Sequence, residues 1–211
     1  MRRAPFIAGL AALAAAWGIA AAGAGMTGHM AAHMAAIAVA APLIAWGIAG
    51  TRADPAMRTP LIVAPLPMAV VELIVVWGWH LPAMRAFAAR GASGLMLEQA
   101  TFLAAGLLLW SACLGARETD DSVRRAAGVL ALLVTTMHMT LLGVLIALAS
   151  RPLFATAGFT CLGVTLPPLL DQHLGGVVML LVGAGSYLLG GLALLSRLLR
   201  HGYPGTGRPW S

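Results

Sequence analysis

The densest set of chemistry-bearing side chains is Met26-Thr-Gly-His29-Met30-Ala-Ala-His33-Met34. On a helix turning ~100° per residue, Met26, His29, Met30, His33 and Met34 fall within an arc of about 140°. His29 and His33 lie one turn apart, so both imidazoles can meet one metal ion. Thioether and imidazole donors together suit copper, and soft sulfur favours Cu(I). Calcium and magnesium want more oxygen donors. Zinc stays open through histidine and carboxylate, with the methionines then incidental.

Other candidates sit elsewhere in the chain. His80 closes the third apolar run, in Trp77-Gly-Trp-His-Leu-Pro82, Glu98 lies in the first turn of the fourth, and Asp171 and His173 open the last long apolar run. Each has a structural reading beside the metal one. Methionine fills irregular cores. A histidine pair can bond backbone or headgroups, and His80 beside tryptophans can be an interfacial anchor. Asp171 can cap the sixth helix, its own, with Gln172 and His173 in the first turn, and Glu98 can complement a helix dipole. Glu72 lies well inside an apolar run and needs a partner or a proton role. His138, between Met137 and Met139, is either functional or a satisfied interhelical donor.

The elements that must position these groups follow from composition. The chain has 211 residues, 60% hydrophobic and only 9% charged, where a soluble domain carries about 25% charged residues. A cytosolic enzyme is excluded. Apolar runs fall at about 5–23, 30–50, 61–79, 95–115, 126–149 and 173–198, each near the ~20 residues of one bilayer span. The runs are continuous rather than alternating, so a strand barrel is disfavoured. The expected fold is all-α, a single polytopic helical bundle of about six spans and no soluble domain. Pro65 and Pro67 should kink the third run or delay its start. Cys113 and Cys161 have no CxxC spacing and suggest neither a disulfide framework nor a zinc finger.

The thirteen basic residues are all arginine and sit singly or in adjacent pairs between apolar runs, a pattern that orients spans rather than binding nucleic acid. With the N-terminus inside, the inner side receives Arg2, Arg3, Arg52, Arg58, Arg117, Arg124, Arg125, Arg197, Arg200 and Arg208. The outer side receives Arg85, Arg90 and Arg151. This asymmetry places both termini in the cytoplasm. Trp17, Trp77 and Trp79 then fall near outer ends as interfacial anchors, and Trp46 and Trp110 toward inner ends. The first run also reads as a signal peptide, with Arg2, Arg3 and small residues around Ala20 to Gly25; the other spans keep their orientation either way. On this topology His29, His33, His80, Glu98, Asp171 and His173 converge on the outer side. Glu72 and His138 lie deeper, and His201 lies in the inner tail.

Several blocks in order resemble the multi-spanning CtaG family of bacterial cytochrome c oxidase assembly factors. Gly28-His-Met-Ala-Ala-His-Met34 and Ala40-Ala-Pro-Leu-Ile-Ala-Trp-Gly47 are similar to the family's His-Met-x-x-His block and the Ala-Pro stretch after it. Trp79-His-Leu-Pro82 matches its Trp-His-Leu-Pro. The stretch from Leu97 to Trp110, opening Leu97-Glu-Gln-Ala-Thr-Phe102, resembles its Glu-His-x-x-Phe-x-x-x-Gly block. Met139-Thr-Leu-Leu-Gly143 and Asp171-Gln-His-Leu-Gly-Gly176 resemble two later blocks. The resemblance implies a role in maturing haem–copper oxidase by supplying copper, with His29, His33, His80, Glu98 and Asp171 at motif positions. Gln99 stands where the family commonly has histidine. His138 and His173 stand where other residues are common, and either can compensate. Six runs are readable where seven are usual.

The leading expectation is a non-enzymatic assembly factor of the bacterial cytoplasmic membrane that holds copper, as Cu(I), at the outer face. Its partners would be membrane lipid, an oxidase subunit and a periplasmic copper donor protein. Met26, Met30 and Met34 would be transfer ligands, and His29, His33 and His80 the holding ligands. Asp171 and Glu98 would be supporting or occasional ligands, with His173 completing the set. The alternatives are a b-type cytochrome or quinone-linked oxidoreductase using His33 with His173 or His138 with His80, a metal-free scaffold for oxidase subunits, and a copper permease lined by Glu72 and His138.

Overall fold

A computed structural model describes residues 1–23, 25–115, 122–154, 159–161 and 164–202, without the side chains of 159–161, 164, 165, 201 and 202. Arg117 and Arg208, and the side chains of Cys161 and His201, lie outside what is described. The helices are α1 (Arg3–Ala21), α2 (Gly25–Met34), α3 (Ala41–Ile48), α4 (Pro55–Arg58), α5 (Pro65–Trp79), α6 (Pro82–Ala88), α7 (Ala92–Leu114), α8 (Ser122–Ala147), α9 (Pro168–Val178) and α10 (Gly185–Gly202). Among the described residues the only strands are Phe159–Cys161 and Val164–Leu166, paired antiparallel with Thr160 opposite Thr165.

Five continuous helical stretches are long and apolar enough to cross a membrane: Arg3–Ala21, Gly25–Ile48, Ala92–Leu114, Ser122–Ala147 and Pro168–Arg200. The pair Pro65–Trp79 and Pro82–Ala88 passes the same test taken together and is bent by 77° at the intervening break, the form of a broken span or a re-entrant loop. The expected all-α membrane bundle is what the chain forms, with shifted boundaries. The second span begins at Gly25 rather than 30, because Asp171 satisfies its first amide donors (below). The third begins at Pro65 rather than 61, with proline in the first turn where its missing N–H costs nothing.

Two spans are not regular throughout. Residues Ala35–Ala40 and Met179–Ala184 are π-helical. Side chains from neighbouring spans bond the backbone of the first of these segments. Trp110 Nε1 donates to Ile37 O at 3.2 Å, Tyr187 OH lies 3.4 Å from the same oxygen, and Ser186 Oγ donates to Ala38 O at 2.6 Å. In a lipid-surrounded bundle such donors re-satisfy carbonyls that an irregular turn frees.

Small residues set the packing. A Cβ on Gly9 would come within 2.7 Å of Ile44, and one on Gly47 within 2.7 Å of Phe6, so α1 and α3 touch backbone to backbone. The first run is thus a docked helix, although a peripheral one. Only 11% of its apolar stretch is buried, against 67% for Gly25–Ile48, which makes the second span the centre of the bundle.

Candidate metal centre

Four spans deliver side chains to one end of the bundle. On α2, His29 and His33 project toward α7, and His80 is the residue that stops α5. Its N–H closes the last turn on Val76 O and Trp77 O, and Leu81-Pro82 then turns the chain into α6. One ring nitrogen from each of His29, His33 and His80 lies within 4.8 Å of the other two. Ring centroids are 6.1 Å apart for His29–His33, 5.7 Å for His29–His80 and 5.3 Å for His33–His80. All three are buried, at 7%, 0% and 6% exposure.

Packing holds the rings. Phe102 stacks on His33 with centroids 4.0 Å apart and planes 20° apart, and its ring lies 6.2 Å from His29 and 6.3 Å from His80. Trp79 Nε1 donates to Thr101 Oγ1 at 2.8 Å, tying the end of α5 to α7 beside the cluster. His80 Nδ1 lies 2.6 Å from Val76 O, a carbonyl that can only accept. The hydrogen therefore sits on Nδ1, and the Nε2 lone pair is available. His80 Nε2, His29 Nε2 and both nitrogens of His33 have no hydrogen-bond partner among the described residues. Buried polar atoms are rarely left so. Converging imidazole nitrogens without partners, backed by an aromatic ring, fit a metal ion.

Glu98, fully buried, stands behind the cluster. One carboxylate oxygen is ion-paired with Arg85 of α6, and the other lies 3.7 Å from His29 Nδ1.

The remaining candidates lie elsewhere. Asp171, on α9, caps α2 rather than joining the cluster. Its oxygens accept from Met26 N at 2.6 Å and Thr27 N at 2.9 Å, and Thr27 Oγ1 donates back to Asp171 O at 2.9 Å. Both oxygens are thus engaged by backbone donors that a buried helix start must satisfy. His173 turns away, with Nε2 2.9 Å from Ala149 O. Met30 and Met34 pack on the last span, where a Cβ on Gly175 would lie 3.1 Å from Met30 Cγ and one on Gly183 2.7 Å from Met34 Sδ. Met26 is buried at the start of the same helix. The 140° arc is thus divided: histidines face α7, and Met30 and Met34 face α9 and the second π segment. Trp79, expected at an interface, is buried at 6% exposure. His138 is buried with neither nitrogen bonded among the described residues, and Glu72 is bonded by Tyr187 OH. Of the proposed haem pairs, His173 is turned to Ala149 O, and His33 and His80 crowd together with His29 rather than facing separate partners, so the haem reading is not favoured.

Sequence reasoning missed Arg85 as anything but a topological charge, and Phe102 as anything but part of a block. The available signals were a lone arginine just after Trp-His-Leu-Pro in a chain poor in charge, and an aromatic four residues after Glu98, on the same helix face.

The sequence model described as cytochrome c oxidase caa3 assembly factor (Caa3_CtaG) matches residues 1–201. No curated protein and no solved structure matches the chain.

Proposed function

From a chain that belongs to the cytochrome c oxidase caa3 assembly factor family, we propose a non-enzymatic membrane factor that holds copper on His29, His33 and His80 for delivery to the oxidase. The single observation that supports it most is the approach of one nitrogen from each of three buried imidazoles to within 4.8 Å of the others. The cargo is read as Cu(I). Three neutral ligands in a buried site leave the charge of the ion uncompensated by the ligands, and a monocation then costs less to desolvate than a dication. Softness from the methionines does not carry this choice, since Met30 and Met34 pack elsewhere. Three ligands also leave the ion an open side through which a partner's donor can take it. Arginine asymmetry supports an orientation with this end of the bundle at the outer face of the bacterial cytoplasmic membrane and both termini inside. A periplasmic copper donor would then load it and an oxidase subunit unload it.

The test is metal analysis of protein purified after growth in copper, comparing wild type with the His29→Ala/His33→Ala double variant. About one copper per chain in wild type, and none in the variant at equal membrane level, supports the reading. Zinc in place of copper would overturn the cargo. Metal-free wild type with normal oxidase maturation would leave the scaffold reading.

A further inference from the structure

Arg85 projects from α6 toward a fully buried carboxylate, its own side chain 15% exposed. It binds Glu98 Oε1. Glu98 Oε2 has no hydrogen-bond partner among the described residues and stops 3.7 Å from His29 Nδ1, beyond bonding range. Helix α6 follows the 77° bend immediately after His80, so one short element carries both a candidate ligand's neighbour and the cation that anchors Glu98.

A carboxylate that accepts from a ligating histidine orients the ring and raises its basicity, an effect worth about 10–100-fold in metal affinity. Here the carboxylate is in place but is drawn toward an arginine. We propose that Arg85 is a positioning residue that weakens the metal site: it holds Glu98 just short of His29, so that the ion is bound loosely enough to be passed on. This rests on the metal reading above. A change in the pose of α6 that withdraws Arg85 lets Glu98 close on His29 Nδ1–H and tighten the site.

The geometry predicts effects of opposite sign. Arg85→Gln frees Glu98 and slows loss of Cu(I) to a colorimetric Cu(I) chelator about 10-fold or more. Glu98→Gln does not slow it, and the double variant behaves as Glu98→Gln. Arg85→Lys keeps the charge but not the guanidinium fork, so it falls between wild type and Arg85→Gln. A purely structural ion pair predicts instead that each single variant holds copper more weakly than wild type, and that outcome overturns the proposal. If Arg85→Gln does not accumulate, Arg85→Lys decides, since it must hold copper no more weakly than wild type. A second readout needs no metal. In the metal-free protein, the His29 Nδ1 proton gains a downfield-shifted resonance in Arg85→Gln, absent in wild type and in the double variant. If wild type binds no copper, the metal reading fails while this resonance still decides the Arg85–Glu98–His29 linkage; its absence overturns the linkage.

Discussion

Replacing Asp171 by alanine separates a cap from a ligand. In the structure its carboxylate receives the amides of Met26 and Thr27 at 2.6 and 2.9 Å, both at the start of the central span. Hydrogen bonds to a charged group contribute about 1.5–3 kcal/mol each. Removing both should therefore cost roughly 3–6 kcal/mol. For a chain of this length each kcal/mol moves the unfolding midpoint by about 2–4 °C, so Asp171→Ala should lower it by roughly 10 °C. Asp171→Asn keeps one acceptor and should lose about half as much, ~5 °C. The assay is thermal unfolding of the detergent-solubilised protein, with copper content measured well below the transition. Stability should fall sharply while copper is retained. A variant with an unchanged midpoint and no copper would show that Asp171 is a ligand and that the cap is incidental.

Three further outcomes follow from the same geometry. Met30→Leu with Met34→Leu should leave copper stoichiometry unchanged, because these side chains pack against Gly175 and Gly183; metal analysis checks it. Gly183→Val should cost about 1–3 kcal/mol by overpacking, since its Cβ would stand 2.7 Å from Met34 Sδ, and Met34→Ala in the same chain should recover part of that loss of midpoint. Reporter fusions after Gly50 and after Arg90 should read inside and outside respectively; the reverse would invert the assignment of the histidine cluster to the outer face.

The span count and the three histidines were legible because their signals are local. A run of apolar residues writes a span directly, and a one-turn spacing writes His29 and His33 onto one face. His80 was legible because it follows a tryptophan pair at a span end. What was not legible depended on which way each face turns within the bundle. The arc holding histidines and methionines is continuous on a helical wheel, but two neighbours divide it: Phe102 draws the imidazoles, and Gly175 and Gly183 make room for thioethers. Asp171 read equally well as a cap and as a ligand. The reading missed that the helix it caps is α2 and not its own, a relation spanning 145 positions of sequence. Arg85 was hidden for the same reason, since an ion pair between two helices has no periodic signature.

The π segment at Ala35–Ala40 sets the direction in which the histidine cluster points. Such a segment accommodates about one residue more than a regular helix of the same rise. An extra residue advances the helix by ~100°. The half-span bearing His29 and His33 is therefore clocked relative to the half bearing Trp46. Deleting one alanine inside the segment would restore a regular helix, and it would swing both imidazoles by about a quarter turn away from Phe102 and His80. The azimuth of the centre is indexed by a stretch of Ala, Ile and Val that contains no ligand and touches no ion.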